Sequence, residues 1–219
     1  NNICTSGTIY GEINENLLKQ AIKNVVKQND SFRIHITSEN GITKQYISDY
    51  KDFNIDVKYI NNESEIEKIE KEEALHKFDI IDSDLFKFKL AILENNFACI
   101  ILTVSHLIAD SWGLGLVIQE ILRNYNNLKN NEEISQDTFS YVDYINAEKE
   151  YKSSKKFEND KIYWNDVFKT IPEQATIPSL NTNIKDLSYN AKRLSFKIDK
   201  DVIYRINSFC KENNISTFN

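Results

Sequence analysis

The sequence predicts an α/β fold, and three observations carry that prediction. Segments that alternate apolar and polar residues at a period of two are interleaved with longer segments whose apolar residues recur at helical spacing. One run, Phe97 to Val104, is apolar almost throughout, as expected of a strand buried on both faces. Hydrophobic residues make up 41% of the 219, enough to bury a real core.

In chain order, residues 7–13 read as a strand. From Asn14, a candidate N-cap, Leu17, Leu18, Ala21, Ile22, Val25 and Val26 give a helix with a one-sided apolar stripe. Ser31 to Thr37 alternates Phe32, Ile34 and Ile36 against Arg33 and His35. With the turn at Glu39-Asn40-Gly41 and a second strand from Thr43 to Ile47, it predicts a hairpin. A short strand covers Asp56 to Ile60, and the charged stretch Glu63 to His76 predicts a solvent-facing helix carrying Ile66, Ile69 and Leu75. Phe86, Phe88, Leu90 and Ile92 alternate as a strand, Asn95-Asn96 turn the chain, and the apolar run to Val104 follows as a central strand. Leu114, Val117, Ile118, Ile121, Leu122 and Tyr125 then mark a helix capped by Asp110 or Ser111. After a polar loop, Asp137 opens a long helical region with Phe139, Tyr141, Tyr144 and Ile145, and a second helix spans Phe157 to Phe168. Residues 170–190 hold both prolines and little periodicity, and read as a crossing loop. Leu194, Phe196 and Ile198 alternate as a strand, and Val202, Ile206 and Phe209 predict one more helix.

Composition narrows function by exclusion. A formal net charge of -6 argues against a nucleic-acid surface, which needs a clustered excess of Lys and Arg. Cys4, Cys99 and Cys210 are odd in number and widely spaced, so neither a zinc site nor a redox pair is expected, and a reducing cytoplasm fits best. No run of about 18 apolar residues suggests a membrane span. Cys99 lies inside the apolar run and reads as a buried structural thiol. His35 and His76 read as surface residues, and Trp112 and Trp164 as core or interface anchors. Asp49, Asp52 and Asp56 lack a recognisable metal-ligand spacing.

One histidine stands apart. His106 falls at the end of the apolar strand, in a loop that leads into a helix. An imidazole titrates near neutrality, so one held at such a junction can take a proton from an attacking amine, hydroxyl or thiol; a hydrogen-bonded core histidine is the competing reading. Asp110, four residues on, could orient that ring, cap the helix or pair with a buried arginine.

Ser105-His106-Leu107-Ile108-Ala109-Asp110-Ser111 resembles the His-His-x-x-x-Asp-Gly motif of the condensation domains of non-ribosomal peptide synthetases, with the second His at His106 and the Asp at Asp110. Ser105 replaces the first His and Ser111 the Gly. Tyr10-Gly11-Glu12-Ile13 with Leu17 and Ala21 resembles the opening strand and helix of that family, and Asp30-Ser31-Phe32-Arg33 a segment ending in Leu-Arg. Phe78-Asp79-Ile80 with Leu85-Phe86-Lys87 is similar to the family's Phe-Asp-Leu stretch and the strand behind it. Tyr141-Val142-Asp143-Tyr144 and Tyr163-Trp164 resemble two further signatures.

The resemblance implies a chloramphenicol-acetyltransferase-like two-layer sandwich, a mixed sheet flanked by helices. Residues 1–170 would form the N-terminal lobe, 171–190 a crossing loop and 191–219 the start of a truncated second lobe. It implies an acyltransferase that forms an amide bond between a donor acyl or peptidyl thioester and an acceptor aminoacyl thioester. Both would be presented on phosphopantetheine arms of carrier proteins, with no cofactor bound directly. His106 would be catalytic, and Asp110, Arg33, Ser105 and Ser111 would support the motif, with Arg33 pairing a buried Asp110. Carrier proteins and neighbouring synthetase domains are the implied partners, without nucleic acid or membrane. An acyltransferase using free substrates, and a non-catalytic module that binds carriers or enzymes, are the alternatives.

Overall fold

Asn14 does what its position predicts: its side-chain oxygen accepts the Leu17 amide at 3.1 Å and starts helix α1, Glu15–Gln28. That cap orients the stripe, so Leu18, Ala21, Ile22, Val25 and Val26 are all buried. Burial of each large aliphatic side chain stabilises the fold by about 1.5–3 kcal/mol. The computed structural model describes residues 2–94, 96–134, 140–173 and 196–217, which divide into two units, Asn1–Val167 and Phe168–Asn219.

The first unit is built on a four-stranded mixed sheet. Its strands are β1 (Asn2–Tyr10), β4 (Asp56–Tyr59), β5 (Phe86–Leu93) and β6 (Phe97–Ser105), in the order β1-β6-β5-β4. β6 runs antiparallel to both neighbours, and β4 runs parallel to β5. Every residue of β6 is buried, as its apolar run requires. A separate hairpin pairs β2 (Ile34–Glu39) with β3 (Ile42–Ile47) across a turn in which Asn40 and Gly41 take positive φ. The segment expected to begin as a strand at Ser31 is instead a short 3₁₀ turn, Asp30–Arg33, which buries Phe32.

Two layers cover the sheet. On one face α1 and α3 (Ser111–Lys129) pack over Leu90, Ile92, Ile100, Leu102 and Val104. Gly7 in β1 is needed for this, because a Cβ there would lie 2.5 Å from Cγ2 of Ile118. On the other face α2 (Glu65–Ala74) buries Ile69 against Ala91, Cys99 and Ile101. The expectation of a wholly solvent-facing α2 is thus corrected: Ile69 and Glu73 are both buried, while Glu67, Lys68, Lys71 and Glu72 form its solvent side and Leu75 just beyond it is exposed. Glu73 is tolerated there because Lys87 and Lys89 of β5 reach its carboxylate. Burial pushes the Glu73 carboxyl up, but the two lysines more than reverse this and hold it below its ordinary value.

Helix α4 (Tyr141–Lys152) begins at Ser140, whose hydroxyl caps it and donates to Asp30 at 2.5 Å, while α5 (Lys155–Val167) follows at once. The expected helix start at Asp137, with Phe139, lies outside the described residues, as does most of the crossing loop. In the second unit α6 (Lys200–Glu212) forms where Val202, Ile206 and Phe209 predict it. The strand expected around Phe196 and Ile198 does not form in residues 196–199, which have no regular structure; Leu194 is outside the described residues. None of the three cysteines is in a disulfide among the described residues, and burial pushes the Cys99 thiol up to about 12. No helix among the described residues is long and apolar enough to cross a membrane.

Candidate functional site

The site is made by the point where β6 stops. Ser105 is still in the strand: it is buried, and its amide donates to the Leu85 carbonyl at 2.8 Å. Its carbonyl then accepts the Ile108 amide at 3.2 Å and its hydroxyl the Leu107 amide at 3.5 Å, which turns the chain sharply out of the sheet. A serine at this buried corner thus finds a backbone partner within its own loop. His106, the next residue, is exposed, and Leu107 beside it is 60% exposed. The core-histidine reading fails on that exposure. Ile108 returns to the core and anchors the far side of the turn.

Asp110 closes the loop. Its carboxylate accepts the Gly113 amide at 2.8 Å, which makes it the N-cap of α3 and places a negative charge where the helix dipole favours one. Of the roles open to it, capping is the one the geometry uses. The expected pairing of Asp110 with Arg33 is not made. Asp110 is exposed rather than buried, and Arg33 turns into the hairpin, where its Nη1 donates to the Ser48 carbonyl at 2.6 Å. The physical reason is local: a carboxylate next to unsatisfied helix amides is satisfied within its own turn, and an arginine leading into a strand pair finds a backbone carbonyl there. Ser111 is exposed at the first position of α3, and Trp112 beside it is 79% exposed, neither a core nor a packed residue of this unit.

A second polar cluster lies in the hairpin and was misread in the sequence. His35 is largely buried, not a surface residue. Its ring stacks on Tyr46 at 5.3 Å, and its Nε2 lies 3.1 Å from the Ser48 hydroxyl and 3.6 Å from Asp84. Tyr46 donates to Asp82 at 3.3 Å, and these residues line a groove of about 440 Å³ with Arg33. Ser, His and Asp meet here, but both partners share one ring nitrogen while Nδ1 is buried without a partner, so the proton relay of a hydrolytic triad cannot operate. The signal that could have revealed the cluster is the strand register, which sequence alone does not supply.

Comparison with known proteins identifies the frame in which His106 sits. The family model described as Condensation domain matches residues 2–219, and the chain belongs to that family. Surfactin synthase subunit 1 of Bacillus subtilis (strain 168) is 31% identical over 209 residues, which cover 91% of this chain and 6% of that protein. Gramicidin S synthase 2 of Brevibacillus brevis is 24% identical over 201 residues, 90% of this chain and 4% of that protein. Among solved structures, VibH, an NRPS condensation enzyme, superposes with a TM-score of 0.77 at 18% identity, over 99% of this chain and 50% of that one. SgcC5 from Streptomyces globisporus gives a TM-score of 0.74 at 18% identity, over 99% and 50%. The fold is therefore the chloramphenicol-acetyltransferase-like one of condensation domains, and the chain spans about half the length of the solved domains and under a tenth of the synthases.

Proposed function

We propose that this chain supplies the histidine-bearing lobe of an acyltransferase that joins a carrier-bound donor thioester to the amine of a carrier-bound acceptor. The observation that carries the reading is the position of His106: an exposed imidazole at the end of a fully buried central strand, on a loop closed by the Asp110 cap. The strand gives that side chain a rigid base, and the exposure gives it access to substrate.

In the reaction, the acceptor amine attacks the thioester carbon of the donor. A C–N bond forms, the C–S bond breaks, and the thiolate leaves with the electron pair. The amine loses one proton, which His106 would take and pass to the departing sulfur. The same imidazole, once protonated, is a donor for the oxyanion that forms between the two steps. Substrates would arrive on phosphopantetheine arms of carrier proteins, and neighbouring synthetase domains would be the partners; membership of the family and the length of the matched synthases support this. Asp110 and Ser105 shape the loop, the first through the helix cap and the second through its corner hydrogen bonds, while Ser111 sits at the exposed start of α3. Arg33 supports the site only at a distance, by bracing the hairpin.

The test uses the intact protein that holds this chain, both loaded carriers, and detection of the condensed product by mass spectrometry. His106→Ala should fold normally and lower product formation about 10²–10⁴-fold. Unchanged turnover in that variant would move the function to that of a non-catalytic carrier-binding module.

A further inference from the structure

Asp30 and Ser140 lie 110 residues apart in the chain and meet in the fold. The first opens the segment Asp30-Ser31-Phe32-Arg33 and the second precedes Tyr141-Val142-Asp143-Tyr144, two of the stretches that mark the sequence. The Asp30 carboxylate accepts the Ser140 hydroxyl at 2.5 Å and the Tyr141 amide at 3.0 and 3.1 Å, and the same hydroxyl accepts the Val142 amide at 3.1 Å. A carboxylate and a hydroxyl thus share the free amides at the start of α4, where the helix dipole favours negative charge. The 3₁₀ turn that carries Asp30 is built without a side-chain cap, so this carboxylate serves a distant helix rather than its own turn.

What lies beyond that contact coheres with itself. Tyr151 of α4 meets the Phe157 ring edge-on at 5.5 Å, and its hydroxyl donates to Asp160 of α5 at 2.8 Å. Lys156 sits over the Tyr151 ring at 5.2 Å and reaches Asp160 at 3.2 Å. Yet no residue of either helix is buried, and Tyr141, next to the cap, is a side chain that packs against the core of the first unit. An element with little buried apolar surface opens at low free energy, and two helices locked to each other open together.

We infer that α4 and α5 form one hinged arm, latched to the first unit by the Asp30 carboxylate and pivoting at Tyr141. With the latch made, the pair is fixed at its N-terminal end; with it broken, the two helices come away as one piece. The arm is the last element before the second unit begins at Phe168, so the chain reaches that unit through the latched piece. The inference does not depend on the role of His106.

Amide hydrogen exchange, read by mass spectrometry on the intact protein that holds this chain, tests the latch. Asp30→Ala should speed exchange about 5- to 30-fold across both α4 and α5, the range for a lost N-cap, and leave β6 and α1 at wild-type rates. Ser140→Ala, which does not touch the 3₁₀ turn, should act on the same two helices and keeps the inference testable if Asp30→Ala does not fold. Combined, the two changes should give less than the product of their separate factors, because they share a bond. Wild-type exchange in both single variants, acceleration confined to the first turn of α4, acceleration spread over the whole first unit, or factors that multiply in the double variant would each overturn the inference.

Discussion

β6 and the loop that leaves it are consecutive in the chain and opposite in physics. From Phe97 to Ser105 every side chain is buried between two helical layers; one residue later His106 and Leu107 stand in solvent, and Asp110 is exposed at the helix start. The strand has its backbone paired on both edges and its side chains packed on both faces, so it has no freedom to move. The loop is held by the Ile108 and Leu107 amides donating to Ser105 and by the Asp110 cap at the start of α3. The contrast teaches how such a fold places a reactive group: rigidity comes from the core, and access comes from ending the core abruptly.

The contrast can be broken most directly by exchanging the penalties. Leu102→Ala in the strand should cost about 3–5 kcal/mol, because a fully buried leucine leaves a cavity between packed layers. His106→Ala should leave the denaturant midpoint within about 0.5 kcal/mol of wild type, as expected of an exposed residue, while removing activity. Comparable stability losses in the two variants would deny that strand and loop differ.

Next in size are the contacts on the two faces of the sheet. Gly7→Ala should destabilise by about 1–3 kcal/mol, since the new methyl meets a stiff β-branched side chain rather than a free end. A thermal melt equal to wild type would show that β1 and α3 separate more easily than their packing implies. On the opposite face Glu73 links stability to pH. Its folded value is depressed, so its contribution is present in full above the ordinary carboxyl value of 4.5 and is lost as pH falls through the lower folded value. Glu73→Gln should therefore flatten the decline in stability below pH 4.5, measured by urea titration at several pH values. A decline as steep as in wild type would mean the lysines do not hold that carboxylate.

The smallest effect belongs to the loop itself. Asp110→Ala should cost about 1 kcal/mol, the size of a lost helix cap, and not the several kcal/mol of a broken buried ion pair. Arg33→Ala combined with it should give additive losses in a double-mutant cycle, because the two side chains do not meet. A coupling energy above about 1 kcal/mol would restore the pair that the sequence suggested.

Much of this molecule was legible in its residues. The stripe from Leu18 to Val26 could only be a helix buried on one side, the apolar run to Val104 only a strand inside a sheet, and Asn14 and Asp110 lay at the right places to cap. These are local facts: periodicity and capping act within a few residues, so the chain carries them in plain order. The position of His106 at the strand end follows from the same order.

Tertiary structure alone decided what meets across the chain. His35 reads as an outward residue on an alternating strand, yet Tyr46, Ser48 and Asp84 enclose it, because the face of a two-stranded hairpin that becomes interior depends on what the hairpin packs against. Glu73 reads as one more acid on a charged helix, and becomes buried because two lysines of β5 lie beneath it. The resemblance paired Arg33 with Asp110, but each found a nearer partner. Register sets which residues of β5 and β6 face one another, and register is a property of two strands joined by hydrogen bonds, not of either one read singly.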